Sequence, residues 1–226
     1  MRPPAEPTRT RPRSRRTGGR LARAVLAVLM VVLAGAAAAE LAARHDGPVP
    51  GAVVDLDGRA VVLDPAPDPA AADPRPLPGR FVAPAVGLDV PLAAMRAVDG
   101  VINPPTATDA FLLDGFGTPG EPGTGLVVAA MHAVRGGNAP GNALAAVGPH
   151  GSVPVVAVGD RIVVAGVTYA VTGTRVLDKA AAATDPAVWA DAAARDGELV
   201  VLTCLPRSGQ RGAATENLVV HARAVP

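Results

Sequence analysis

The chain contains one cysteine, Cys204, and four histidines, His45, His132, His150 and His221. A thiol and an imidazole are together sufficient for acyl transfer: the thiolate attacks a carbonyl, and the imidazole exchanges protons with the thiol and the leaving group. Only about a few per cent of an ordinary thiol is ionised at pH 7, so a nucleophilic cysteine needs a base beside it. The competing role for a lone cysteine is that of a small hydrophobe packed inertly in a core. A single cysteine forms no internal disulfide, so the cysteine count does not identify a redox compartment.

Cys204 closes the stretch Glu198–Cys204 (ELVVLTC). Leu199–Leu202 is an unbroken apolar run between Gly197 and the turn residues Pro206 and Gly209. Such a run predicts a strand covered on both faces, with the thiol at its end. His132 stands in a similar place. It follows the apolar run Gly125–Ala130 and precedes the glycine-rich loop AVRGGNAPG. His45 lies in a proline-rich segment, His150 in a Gly-Pro-His-Gly turn, and His221 inside the final strand-like run. Cys204 and His132 are therefore the candidate catalytic pair. The chain has no His-x-x-x-His or paired-cysteine pattern and no glycine-rich strand-to-helix phosphate loop, so neither a metal nor a cofactor is expected.

The elements that must position this pair are short. Strands are predicted at Arg80–Pro84, Leu88–Leu92, Gly125–Ala130, Val153–Val158, Arg161–Ala165, Thr168–Leu177, Glu198–Thr203 and Asn217–Val225. Tight hairpins are expected at Gly159-Asp160 and Gly166-Val167. Two short helices are predicted, Asn142–Val147 and Pro186–Arg195. The second has Asp185 as its N-cap and Pro186 at its first position. Many short strands with few helices predict a mainly β fold, a closed or nearly closed antiparallel barrel.

The residues before this region divide by composition. Residues 1–23 hold eight arginines and one acid, Glu6, while the whole chain is only +1, so the remainder is net acidic. A basic arm without aromatics, helix-turn-helix or zinc pattern does not make a nucleic-acid binder. Residues 24–43 are apolar apart from Glu40 and match the ~20 residues that cross a bilayer as a helix. The arginines before it predict a cytoplasmic N-terminus and an extracellular C-terminal part. A cleaved signal peptide, with Ala-x-Ala sites near residues 36–43, is the alternative. Residues 44–78, rich in Pro, Ala and Asp, are expected to form an extended extracellular spacer. A small hairpin across Asp57-Gly58, pairing Val53–Leu56 with Ala60–Leu63, is possible within it. Residues 79–226 are then the folded domain.

From Arg80 to Val225 the sequence resembles the sortases, cysteine transpeptidases of the Gram-positive cell surface. Val201-Leu-Thr-Cys204 is similar to the segment around the sortase nucleophile, and Leu126-Val-Val-Ala-Ala-Met-His132 to the strand that delivers the histidine. Arg80–Leu92 resembles the opening strands, and Asn217-Leu-Val-Val-His-Ala222 the closing one. Ile102-Asn-Pro-Pro105 and Leu113-Asp-Gly-Phe-Gly-Thr-Pro-Gly120 look like segments of actinobacterial class E and F members. The resemblance implies an eight-stranded barrel behind a membrane anchor. It also implies a mechanism in which Cys204 attacks a Thr carbonyl in a Leu-Pro-x-Thr-Gly-like sorting signal and forms a thioacyl-enzyme. An amine of a cell-wall precursor or of another surface protein then resolves it. His132 would exchange the protons, and an arginine would donate hydrogen bonds to the substrate.

Three positions depart from the family pattern. Met131 replaces the usual glycine before the histidine, and Phe111-Leu-Leu makes one wall less aromatic. The family arginine usually lies near positions 215–217, which here are Thr215, Glu216 and Asn217. Arg207 is therefore assigned the role, with Arg211 as the other candidate in the same loop. Leu205-Pro-Arg-Ser-Gly209 looks like a sorting signal itself, but no hydrophobic stretch and basic tail follow it, and it is set aside as coincidence. Two other functions stay open: a Cys–His hydrolase of the same fold, and a surface binding module that has lost turnover.

Overall fold

The computed structural model describes residues 51–148, 151–206 and 212–226. The arginine-rich arm, the apolar segment 24–43, His45, His150, Arg207 and Arg211 lie outside these residues. Among the described residues no helix is long and apolar enough to cross a membrane.

The described chain begins with a hairpin, β1 (Ala52–Val54) and β2 (Ala60–Val62), then a short helix α1 (Pro69–Ala72). The strands β3 (Arg75–Ala83), β4 (Leu88–Met95), β5 (Ala110–Leu113) and β6 (Val127–Met131) follow. A 3-10 turn at Pro140–Leu144 leads into a second hairpin, β7 (Ala145–Gly148) and β8 (Gly151–Pro154). Strands β9 (Arg161–Val164) and β10 (Val167–Asp178) precede the short helices α2 (Lys179–Thr184) and α3 (Pro186–Trp189). Strands β11 (Glu198–Leu205) and β12 (Glu216–Ala224) end the fold.

Eight strands close a barrel in the order β10-β12-β11-β6-β5-β4-β3-β9, with β9 paired back to β10. The expected mainly β barrel is present, but it is not wholly antiparallel. The pairs β4–β5 and β6–β11 run parallel. Parallel neighbours need a crossover, and between β6 and β11 the chain passes through β7–β10 and both late helices before it returns.

Alternation along the strands builds two apolar layers. Phe81, Val90, Leu92, Ala129, Met131, Ile162, Tyr169, Val201 and Val220 belong to one cluster to which all eight strands contribute, so it fills the barrel lumen. Val128, Ala130, Val200, Leu202 and Val219 face the other way and pack with Ala72, Val188 and Trp189. This is why Leu199–Leu202 is an unbroken apolar run: β11 is buried on both faces.

Local differences from the expected elements have local causes. The β9–β10 hairpin turns at Ala165-Gly166, both at positive φ (51° and 86°), the geometry of a two-residue turn matched to strand twist. No corresponding hairpin joins β8 to β9, because β8 pairs with β7. The helix expected at Asn142–Val147 is a 3-10 turn followed by β7. The Asn142 side chain is engaged by the preceding loop instead of a helix. The helix expected over Pro186–Arg195 stops at Trp189, and Asp191 at φ 52° separates it from a 3-10 turn at Ala192–Ala194. Its predicted cap is present, Asp185 Oδ1 accepting from the Ala187 N–H at 2.8 Å.

Residues 51–78, expected within the spacer, carry β1, β2, α1 and the start of β3. The buried Asp55 carboxylate organises the first hairpin. It accepts from the N–H groups of Asp57 (3.0 Å), Arg59 (2.9 Å) and Asn138 (2.8 Å). Val61 and Leu63 then bury against Ala107, Val134 and Ala139. The hairpin expected across Asp57-Gly58 is thus present as β1 and β2, whereas the proline-rich composition hides α1 and the start of β3, which need few apolar residues to anchor them.

Candidate active site

Cys204 and His132 come from the parallel pair. The register of β11 on β6 runs from Leu199 opposite Val127 to Thr203 opposite Met131. Cys204 and His132 are the next residue of each strand, so both emerge at the same end. Adjacent strands lie about 4.8 Å apart, which makes them neighbours. Thr203 and Met131 share the lumen parity, and Cys204 follows the parity of the outer layer, in line with Val200 and Leu202. Cys204 is half-buried and free. Met131, one of the departures noted above, fills the lumen.

His132 is buried, and its Nε2 lies 2.6 Å from the Pro104 carbonyl oxygen. A carbonyl only accepts, so Nε2 carries the proton and Nδ1 is left as the basic nitrogen of the neutral ring. Burial holds the imidazole pKa below its ordinary value. The Pro104 bond opposes this shift, and the Lys179 charge adds to it. Lys179 is the only lysine in the chain. It opens α2 at the same end of the barrel, its N–H donating to the Thr215 carbonyl at 2.9 Å.

The surrounding loops are tied to both strand ends. The Gly141 N–H donates to the His132 carbonyl at 2.7 Å. A Cβ at position 141 would come within 1.9 Å of Thr203 Oγ1 and 2.8 Å of the His132 oxygen, so only glycine fits between the two strands there. Asn142 secures the loop that follows His132. Its Oδ1 accepts from Val134 and Ala139, both at 2.9 Å, and its Nδ2 donates to the Val134 carbonyl at 2.8 Å. The Arg135 guanidinium donates to the Gly212 carbonyl (2.9 Å), joining the loop after His132 to the one after Cys204. Ser152 Oγ of β8 donates to the Pro206 carbonyl (2.9 Å). Asn103 Nδ2 donates to the Pro65 carbonyl (3.2 Å), so the segment bearing Pro104 is linked to the N-terminal region.

His221 stands apart. It pairs with Val200 and Gly173, four residues along β12 from the level of Cys204, on the order of 13 Å away. Its Nε2 is buried without a partner among the described residues, and burial first, then Arg195 and Arg175, lowers its pKa. The sequence reading missed Pro104, Lys179, Gly141 and Asn142. Of these, only the Pro-Pro pair at 104–105 left a signal: proline has no N–H to commit a strand ladder there.

No family model matches the chain, and no curated protein matches it. Several solved structures do. Sortase A from Corynebacterium diphtheriae, as a lid mutant, is similar over 67% of this chain and 72% of its own, at 20% identity and a TM-score of 0.47. Sortase C1 from Streptococcus suis is similar over 67% and 74%, at 18% identity and a TM-score of 0.46. Listeria monocytogenes sortase A is similar over 66% and 86%, at 16% identity and a TM-score of 0.46.

Proposed function

We propose that the protein is a sortase-like cysteine transpeptidase, held at the cell membrane by residues 24–43 with its barrel outside. The observation that carries this reading is the β6–β11 register, which brings a thiol and a buried imidazole to one strand end. The ordered sortase-like motifs in the sequence support it.

In this mechanism the Cys204 thiol passes its proton to Nδ1 of His132 as sulfur attacks the Thr carbonyl of a Leu-Pro-x-Thr-Gly-like signal. The imidazolium then gives that proton to the leaving glycine amine, and a thioester remains. An incoming cell-wall or protein amine attacks the thioester. It loses a proton to His132, which returns one to the departing thiolate. Arg207 donates to the oxygen on which charge develops. Hydrolysis by water is the second reading, since it uses the same residues.

The test is incubation of the full-length protein with a peptide library and an added amine, followed by mass spectrometry. Amine-terminated peptide products and a Cys204 thioester support transpeptidation. Carboxylate products alone favour the hydrolase. Absence of any thioester with every peptide removes the enzymatic reading.

A further inference from the structure

Cys204 has two neighbours in the sheet. On one side the register leads to His132. On the other, β12 places Asn217 directly opposite Cys204, between Leu218 opposite Thr203 and Glu216 opposite Leu205. Directly opposed residues on antiparallel strands project to the same face, with Cβ atoms about 4.5–5.5 Å apart. The row therefore reads Leu177, Asn217 and Cys204 across β10, β12 and β11, with His132 the residue that follows β6 on the far side.

The chemistry of this row is asymmetric. An imidazole that handles protons flanks the thiol on one side, and a carboxamide with two N–H donors and no titratable proton flanks it on the other. Asparagine is a poor strand residue, yet it opens the run Asn217-Leu-Val-Val220, whose other members are buried. Its partner on β10 is Leu177, which packs with the outer apolar layer and offers no polar group. The Asn217 side chain is half-buried, and among the described residues it takes no part in a side-chain hydrogen bond.

We propose that Asn217 is a catalytic residue whose side-chain N–H donates to the substrate carbonyl oxygen as Cys204 attacks. This rests on the reading of Cys204 as the nucleophile. As the C–S bond forms, the carbonyl π electrons move onto oxygen, and the amide stabilises that oxyanion from the side opposite the proton-transfer group. When the oxyanion collapses, the C=O bond re-forms, the C–N bond breaks, and His132 protonates the amine. A donor fixed beside the nucleophile needs no reorganisation during this step.

The test compares two reactions of Cys204 in the full-length protein. Acylation by p-nitrophenyl acetate passes through an oxyanion, whereas alkylation by iodoacetamide does not. Asn217→Ala is expected to slow acylation at least tenfold, toward the ~10²–10³-fold cost of removing one such donor. Alkylation is expected to keep its wild-type rate. Asn217→Val, which suits a strand better than alanine, is expected to give the same selective loss and guards against misfolding of the first variant. Equal acylation rates in wild type and both variants overturn the proposal. So does a parallel fall in both reactions, which would make Asn217 a support for the thiol alone. If the selective loss is found but no peptide thioester ever forms, the oxyanion role stands and the sortase-like substrate is what fails.

Discussion

The His132 Nε2 lies 2.6 Å from the Pro104 carbonyl oxygen, and this contact fixes which nitrogen can act as base. A backbone carbonyl cannot leave its place or titrate, so the ring is held in the Nε2–H tautomer with Nδ1 unprotonated. Burial also keeps the neutral ring favoured, with the folded pKa below the ordinary histidine value. The imidazolium must therefore be made during the reaction, by the thiol proton.

Nitrogen-15 NMR of the free protein near neutral pH is expected to report the Nε2–H tautomer for His132, with its titration midpoint below 6.5. Above the ordinary histidine pKa, ring neutrality costs nothing. As the pH falls below it, the unfolded chain takes up the proton first, and the native state loses stability until its own lower pKa is reached. Lys179→Met is expected to move the midpoint upward by removing a nearby positive charge. An unchanged or lower midpoint would show that the ammonium does not act on the ring.

Replacement of the site residues separates their roles. Cys204→Ala is expected to abolish thioester formation, since the chain has no other thiol. His132→Ala is expected to lower turnover by about 10²–10⁴-fold, the usual contribution of a general acid–base group. Arg207→Ala is expected to cost about 10²–10³-fold, and Arg207→Lys to recover little, because an ammonium does not reproduce the planar fork. A dead Arg211→Ala beside an active Arg207→Ala would transfer that role to Arg211. Steady-state kinetics on one peptide identified by the library screen is the measurement.

Gly141→Ala is a test of spacing without any change in chemistry. The added methyl overlaps Thr203 Oγ1 and the His132 carbonyl, so β6 and β11 must shift apart at the site. Overpacking of this kind costs about 1–3 kcal/mol. The melting temperature is expected to fall and the activity to fall further, because the displacement lies one residue from Cys204. A variant with wild-type activity and a lowered melting temperature would mean that the site tolerates the shift.

Asp55 makes the first hairpin sensitive to acid. Its carboxyl pKa is lowered, first by the Asn138 N–H and then by those of Arg59 and Asp57, against the opposing effect of desolvation. A depressed carboxylate pKa contributes stability that is present above the unfolded value and is lost as pH falls through the folded one. Hydrogen exchange at residues 52–62 is expected to accelerate in Asp55→Ala at neutral pH, and in the wild type under acid, before the barrel strands respond. Uniform exchange throughout the protein would place the hairpin inside the barrel's cooperative unit.

The strand bearing Cys204 was legible because burial on both faces writes itself as an unbroken apolar run, and six of the barrel strands announced themselves similarly. β5 did not. It is only Ala110–Leu113, and four apolar residues do not distinguish a strand from a loop packed inward. The parallel pairing was equally silent, since register between distant strands is set by the assembled barrel. Asn217 was noticed only as the place where an arginine was missing. Its position opposite the thiol is a property of the register, which no spacing along the chain records. The first hairpin was legible from its Asp57-Gly58 turn between two apolar runs, but its anchor, one carboxylate binding three backbone N–H groups, left little compositional trace.

The late arrival of β11 also governs how the molecule is made. Strand β6 is synthesised well before the partner that will occupy its second edge, and Val127–Met131 contains no charge to discourage another chain from pairing there. During synthesis this edge is an adhesive surface awaiting its own C-terminal strand. The active centre shares that schedule. A truncated product ending before β12 has no closed barrel and no Asn217, while its β6 edge depends on β11 alone for cover. The thiol strand therefore needs both of its edges filled: β6 brings His132 to one side of Cys204, and β12 closes the barrel on the other.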